Sequence, residues 1–386
     1  MLSIRKLFAV ETLLGIGLGV GYLTSLRFIG KVGLSEILIL ISIIILFSKN
    51  YKVFFIYKRN LENFIKAYIL FILILQLPLI TLTTYAITDY NSDPKYVVSF
   101  IMGGVLAFLL SNASKFNEFN FSKLTLSFVY VFVGTNLITL IFFPSLVDDP
   151  RYTGGAENPN QLAFYGVSLS LLLIIYQKKL SIIAIPIILW ILIQTKSDNF
   201  LLTVYLTIIF YLIFIFFFHS KFKFALKVIF FLIITVLAST FIINLYSEEL
   251  LELWLVADSG NLRITLLQNG LDVVSQSPIV GWGAGSFSGF TPFGTKEAHS
   301  TPIDLAMQFG IIFPIIIYGM MIAVMFKKLE DREFLVAAFI VGFIVSGLFH
   351  FSARHFTFWV EFSVFYTYIF HNYNKKNIII GNKDII

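Results

Sequence analysis

Apolar runs about as long as a bilayer-spanning helix recur along the whole chain. No polar stretch between them is long enough to fold alone. A spanning helix needs roughly 20 mostly apolar residues. Twelve runs fall at residues 7–26, 32–47, 64–86, 96–110, 124–143, 160–176, 180–194, 200–218, 224–244, 302–326, 334–349 and 356–370. Several are rich in β-branched and aromatic residues. Hydrocarbon, however, demands that backbone groups be satisfied within the segment, and the runs are too continuous for the alternating strands of a barrel. The expected fold is therefore all-α: a polytopic integral membrane protein of about twelve transmembrane helices, with residues 1–386 forming a single membrane domain. Composition agrees, since 58% of the 386 residues are hydrophobic and 13% are charged, against about 45–50% and 25% in soluble chains.

Lys and Arg give the orientation. They gather in alternate connections, as at Lys49, Lys52, Lys58 and Arg59, at Lys115 and Lys123, at Lys178 and Lys179, and at Lys327, Lys328 and Arg332. With those connections inside, both termini are cytoplasmic. The formal charge of +6 then reports topology and not a nucleic-acid partner. The first run lacks a small-residue cleavage site and reads as an uncleaved anchor. Cysteine is absent, which excludes disulfides, thiolate metal sites, iron–sulfur clusters and a cysteine nucleophile.

Two connections on the outer side are long, 144–159 and 245–301. The second, between the ninth and tenth spans, carries a helical pattern of its own and is expected to form part of the active site. Against acidic outer loops, Arg151, Arg263 and Arg354 stand out, because a guanidinium fork binds phosphate oxygens with two hydrogen bonds. The plain alternative for each is a neighbouring carboxylate. Arg27, His350, Arg354 and His355 can also be read as headgroup anchors. Asn158 followed by Pro159 reads as a helix cap with proline in the first helical position, so Arg151 precedes a helix N-terminus suited to anions. Asn261 is expected to cap a surface helix with Arg263 in its first turn. Gly281-Trp282-Gly283-Ala284-Gly285 is a glycine-rich turn without the Lys of a phosphate loop. Thr301 is expected to cap the tenth span, with Pro302 and Asp304 behind it. His299 then sits just before a helix start, whose positive end keeps the ring neutral as a base. Asp148 and Asp149 lack a third ligand for a metal, and no metal or cofactor is expected. Serine-hydrolase and zinc-protease motifs are absent. Glu11, Glu36 and Glu361 fall in or near spans, where an ionisable group is a functional suspect by default.

Three stretches taken in order resemble the O-antigen ligase and O-antigen polymerase superfamily of bacterial envelope glycosyltransferases. They are Arg151 through Asn158-Pro159-Asn160-Gln161-Leu162-Ala163, then Arg263 with residues 277–287, then Ala298-His299-Ser300-Thr301 with Phe309-Gly310-Ile311-Ile312. The family often has Ser-Arg at the start of the eighth span, where this chain has Thr195-Lys196-Ser197; Lys196 is the available substitute. It commonly has Asn after the histidine, where Ser300 stands here.

The resemblance implies glycan transfer from undecaprenyl pyrophosphate at the periplasmic face of the bacterial inner membrane. His299, Arg263 and Arg151 would be catalytic, and Asn158, Asn160, Ser300, Lys196 and Arg354 would bind substrate. The implied partners are an undecaprenyl pyrophosphate-linked oligosaccharide donor and acceptor, membrane lipids and a chain-length regulator protein. A polymerase joins lipid-linked repeat units; its sister ligase moves finished polymer onto lipid A–core. Loose motifs and the Ile-, Phe- and Lys-rich composition favour polymerase. A flippase or other transporter is the reading from another class, but no related halves are visible and the suggestive residues gather at the outer face.

Overall fold

The computed structural model describes residues 9–23, 27–29, 32–54, 61–87, 94–115, 119–142, 151–219, 259–288 and 296–381, together with Ile233. The helices are α1 (Val10–Val20), α2 (Leu34–Phe54), α3 (Leu61–Phe71), α4 (Leu77–Ile87), α5 (Pro94–Lys115), α6 (Phe121–Phe142), α7 (Pro159–Tyr176) and α8 (Lys178–Gln194). They continue with α9 (Asp198–Phe214), α10 (Ser259–Gln276), α11 (Thr301–Phe309), α12 (Ile312–Glu330), α13 (Phe334–Leu348) and α14 (Phe356–Gly381). Six helices among the described residues are long and apolar enough to cross a membrane. Arg27–Ile29 and Val32–Gly33 form a short antiparallel pair ahead of α2. The expected ninth span, 224–244, lies outside the described residues except for Ile233, as do Asp148 and Asp149.

Large apolar side chains cover the outside, with Leu79, Phe142 and Ile182 exposed, as lipid-facing surfaces require. Close approach supplies much of the packing, because lipid gives helices no hydrophobic reason to associate and small residues let backbones meet. In α1, a Cβ on Gly15 would lie 2.6 Å from the Leu124 carbonyl oxygen, and one on Gly19 would lie 2.7 Å from Val131. The Gly15–Gly19 pair therefore seats α1 on α6. On α5, Gly103 leaves room for the Trp359 ring, whose Nε1 donates to the Ala353 carbonyl at 2.8 Å.

Polar groups inside are mostly paired. Glu62 takes Lys115 at 3.2 Å and Lys66 at 3.8 Å. Glu36 accepts from the Gly33 N–H at 2.9 Å and Glu11 from the Asn120 N–H at 3.3 Å, which gives two of the intramembrane suspects a structural task. Glu361 is fully buried on α14, with the Ser168 hydroxyl as its polar neighbour among the described residues.

The run 302–326 is not one continuous helix. It breaks at Gly310, where φ is +82° and an added Cβ would lie 2.0 Å from the Ile279 carbonyl oxygen. The polypeptide from Ser277 to Ala284 lies against this break. It receives the Ile311 N–H on the Pro278 carbonyl at 2.8 Å, and gives the Trp282 N–H to the Met307 carbonyl at 2.7 Å and the Gly283 N–H to the Gln308 carbonyl at 3.1 Å. The last carbonyls of α11, which have no intrahelical partner, are satisfied this way. A π-helical turn, Ile72–Gln76, joins α3 to α4 and lets this helix hold the other side of the same segment. Gln76 Nε2 donates to the Val280 carbonyl at 3.0 Å, Thr84 Oγ1 to the Trp282 carbonyl at 2.8 Å, and Thr81 Oγ1 accepts from the Ala284 N–H at 2.8 Å. The glycine-rich turn is thus a packing element, wedged between two helices.

Candidate functional site

The starts of α7, α9, α11 and α14 meet the ends of α6, α8 and α13 at one end of the bundle. Asn158 caps α7 as expected: its side chain accepts from the Gln161 N–H at 2.9 Å, with Pro159 in the first turn. Ser197 caps α9. Both caps feed one polar cluster. Asn160 Oδ1 accepts from Arg151 Nη2 at 3.1 Å and from Ser197 Oγ at 2.8 Å, while Arg151 Nε donates to the Thr195 carbonyl at 3.1 Å. Tyr152 anchors the same loop, its N–H donating to the Gln194 carbonyl at 3.0 Å and its hydroxyl to Asn136 Oδ1 at 3.0 Å. Lys196 is exposed with φ +47°, and Asn199 Nδ2 donates to Ser346 Oγ at 2.9 Å. Arg151, Asn160 and Ser197 are thereby brought together, with two of the five Arg151 N–H groups committed to the protein.

The second cluster surrounds His299, which has φ +54°, uncommon for a residue with a side chain. Asp304, one turn into α11, holds this backbone: its two carboxylate oxygens accept from the Ala298 and Ser300 N–H groups, each at 2.9 Å. Arg354 Nη1 reaches back to Glu297, at 2.8 and 3.0 Å from its two oxygens. His350 and His355 lie buried behind, their rings 5.9 Å apart and 11° from parallel, both against Phe164. A headgroup anchor does not describe this trio.

His299 is held as a neutral imidazole. Burial comes first in pushing its pKa down to about 4, followed by the charges of Arg354, Arg263 and Lys296. His350 is pushed down to about 3 by burial and then by Arg354, His299 and Arg263. These causes act besides the expected one, the positive end of the following helix. Ser300 and not Thr301 is the N-cap; Thr301 is the first helical residue and its hydroxyl donates to the His350 carbonyl at 2.5 Å. The expected Asn261 cap is likewise displaced. Helix α10 begins at Ser259, which puts Asn261 inside it and Arg263 one turn further along.

Arg263 makes no hydrogen bond to the described residues, nor does the His299 ring, and both are only partly covered. Ser300 is buried. The electrostatic influence of Arg263 and Arg354 on His299, and of Glu157 on Arg354, puts these groups in one neighbourhood. A neutral base beside two guanidinium groups can take a proton from a hydroxyl while the cations bind an anionic leaving group. In the sequence Glu297 is one acidic loop residue among many, and nothing local ties it to Arg354.

Fold and site together define a helical membrane protein with Arg and His residues clustered at one end of its bundle. Residues 183–318 match the family model described as O-antigen ligase, which supports the likeness to the O-antigen ligase and polymerase superfamily. The matched stretch contains Lys196, Arg263, His299 and Ser300; Arg151 and Arg354 lie outside it. No curated protein matches the chain.

Proposed function

We propose that this protein is an O-antigen polymerase, joining undecaprenyl pyrophosphate-linked repeat units at the periplasmic face of the inner membrane, with both termini cytoplasmic and residues 245–301 contributing to the active site. The observation that carries the reading is the neutral, unpartnered His299 ring within the influence of Arg263 and Arg354, inside the family-matched stretch. His299 takes the proton of the acceptor sugar hydroxyl as its oxygen bonds to the anomeric carbon of the donor. The bond from that carbon to the pyrophosphate breaks, and the electron pair leaves with the phosphate. A positioned base contributes about 10²–10⁴-fold to such a step. Arg263, with Arg151, meets the charge that develops on the pyrophosphate, so no metal is needed. Asn158, Asn160, Ser300, Lys196 and Arg354 line the substrate path.

A second reading fits the same family match equally, transfer of finished polymer to lipid A–core. The glycolipid profile of a deletion strain separates the two: a single repeat left on the core marks a polymerase, and a bare core marks a ligase. Complementation with His299→Ala should restore protein but no product in either case. Normal product from that variant would remove His299 from the mechanism.

A further inference from the structure

Helix α10 carries two apolar faces, and among the described residues only one of them is packed against protein. Leu266, Gly270, Val273 and Val274 are buried, with the two valines packed alongside Phe287, Ala298, Ala306 and Met307. Beside that face runs a second row, Ile264, Leu267 and Leu271, which is 44%, 36% and 53% exposed. The remaining arc is polar: Gln268, Asp272, Ser275 and Gln276 are all exposed. At 100° per residue the three arcs follow one another around the helix without mixing. A soluble loop helix would have no reason to separate its exposed residues this way.

The exposed row does not stand alone. Beyond the end of α10, Ile279 is 71% exposed, and Val280 is exposed beside it. The Ile311 N–H to Pro278 carbonyl bond sets this pair against Ile311 and Ile312, exposed where α12 begins. Helix α12 is one of those long and apolar enough to cross a membrane. The uncovered row of α10 therefore continues into a lipid-facing surface. Trp282, amphipathic and half-buried, sits at the junction with its Nε1 donating to the Val273 carbonyl at 3.0 Å, the kind of placement tryptophan takes at a membrane–water boundary.

We infer that α10 is an interfacial helix whose Ile264–Leu267–Leu271 row lies in the outer leaflet, with its Gln268–Asp272 edge in water. An amphipathic helix buries its apolar arc at the boundary between headgroups and acyl chains. At the same 100° per residue Arg263 falls between Gly270 and Val274, on the arc that faces the protein, one turn before Leu267. With α10 lying in the interface, its guanidinium sits near the depth of lipid phosphates and on the side of His299.

The absence of native cysteine makes the test direct. Single cysteines at Leu267, Leu271, Gln268 and Asp272 carry a bimane label in full-length protein reconstituted into phosphatidylethanolamine and phosphatidylglycerol vesicles. At Leu267 and Leu271 the label should lose fluorescence to a nitroxide on the lipid chain and be spared by aqueous iodide; at Gln268 and Asp272 the order should reverse. Equal iodide quenching at Leu271 and Asp272 would overturn the inference. So would a Leu271 label shielded from both quenchers, more so at high protein density, since that result assigns the row to a second copy of the chain. Neither readout requires enzymatic activity.

Discussion

Asp304 grips the polypeptide on both sides of His299, accepting the Ala298 N–H with one carboxylate oxygen and the Ser300 N–H with the other. Left-handed backbone at a residue with a Cβ costs of order 1–3 kcal/mol, and this clamp holds it in place. Asp304→Asn keeps the shape but can accept only one of the two bonds. The rate of transfer by purified protein should fall about 10²-fold, as expected when a reacting group moves by an ångström, with KM for the lipid-linked donor unchanged. A wild-type kcat would show that the clamp does not position the histidine.

The charge of Arg354 should be visible in the pH profile. In the proposed mechanism the neutral His299 ring is the active form, and its pKa lies at about 4 through burial first and Arg354 second. The wild-type rate should therefore hold as pH falls through 6.5 and drop only on approaching 4. Arg354→Ala removes one cation, so its acid limb should move up toward the ordinary histidine value of about 6.5. Superimposable limbs would contradict the assignment. Stability carries the same sign: the fold favours neutral His299 and His350, so their contribution is complete above about pH 6.5 and is lost as pH falls toward the folded values. Thermal unfolding at pH 7 and pH 5 reads this directly.

Arg151 and Arg263 should respond differently to lysine. Arg263 makes no hydrogen bond to the described residues, so Arg263→Lys should leave the melting temperature in place. Loss of the fork should still lower transfer by about 10²-fold or more, the usual cost of removing a transition-state donor. Arg151→Lys withdraws donors from the Thr195 carbonyl and Asn160 Oδ1. It should also destabilise the protein, by about 1–3 kcal/mol, seen as a lower melting temperature in detergent. Equal thermal shifts in both variants would refute the distinction.

In the proposed mechanism guanidinium groups neutralise the pyrophosphate, so transfer should be independent of divalent ions. Purified protein should retain its rate in EDTA. Activity lost to the chelator and restored by Mg²⁺ would turn attention to Asp148 and Asp149.

Glycine substitutions should sort by their surroundings. Gly310→Ala drives a Cβ into the Ile279 carbonyl at positive φ and should cost several kcal/mol or prevent folding, given about 1–3 kcal/mol for the backbone conformation alone. Gly319→Ala, with nothing within 4 Å of the added carbon, should be neutral or stabilise helix α12 by up to about 1 kcal/mol. The pair is compared by thermal unfolding.

Helices were readable where hydropathy and caps agreed. Asn158-Pro159 marks the start of α7 because a cap needs only its own next turn. Thr301 misleads for the opposite reason: Ser300 is as good a cap, and the threonine hydroxyl is drawn away by the His350 carbonyl, 49 residues on. The break at Gly310 hides in an uninterrupted apolar run, because a glycine is common in spanning helices and the carbonyl that forbids a Cβ comes from Ile279. The Glu297–Arg354 bridge joins residues 57 apart, and no local pattern announces it. His299 itself was legible from its setting, while the source of its neutrality depended on burial and on cations from other elements.

The join between the 277–284 segment and the broken α11–α12 helix bears on how such enzymes can be recombined. Three backbone hydrogen bonds cross from one to the other at Pro278, Trp282 and Gly283, and α4 grips the far side through Thr81 and Thr84. A chimera that swaps the 245–301 loop at residue 300 would cut through this seam and leave carbonyls of α11 without their donors. The unit of exchange between relatives should instead run from the start of α10 past Ile312, with Gln76, Thr81 and Thr84 retained in the recipient. Substrate preference carried by that loop would then travel as one inheritable block with its supporting helix.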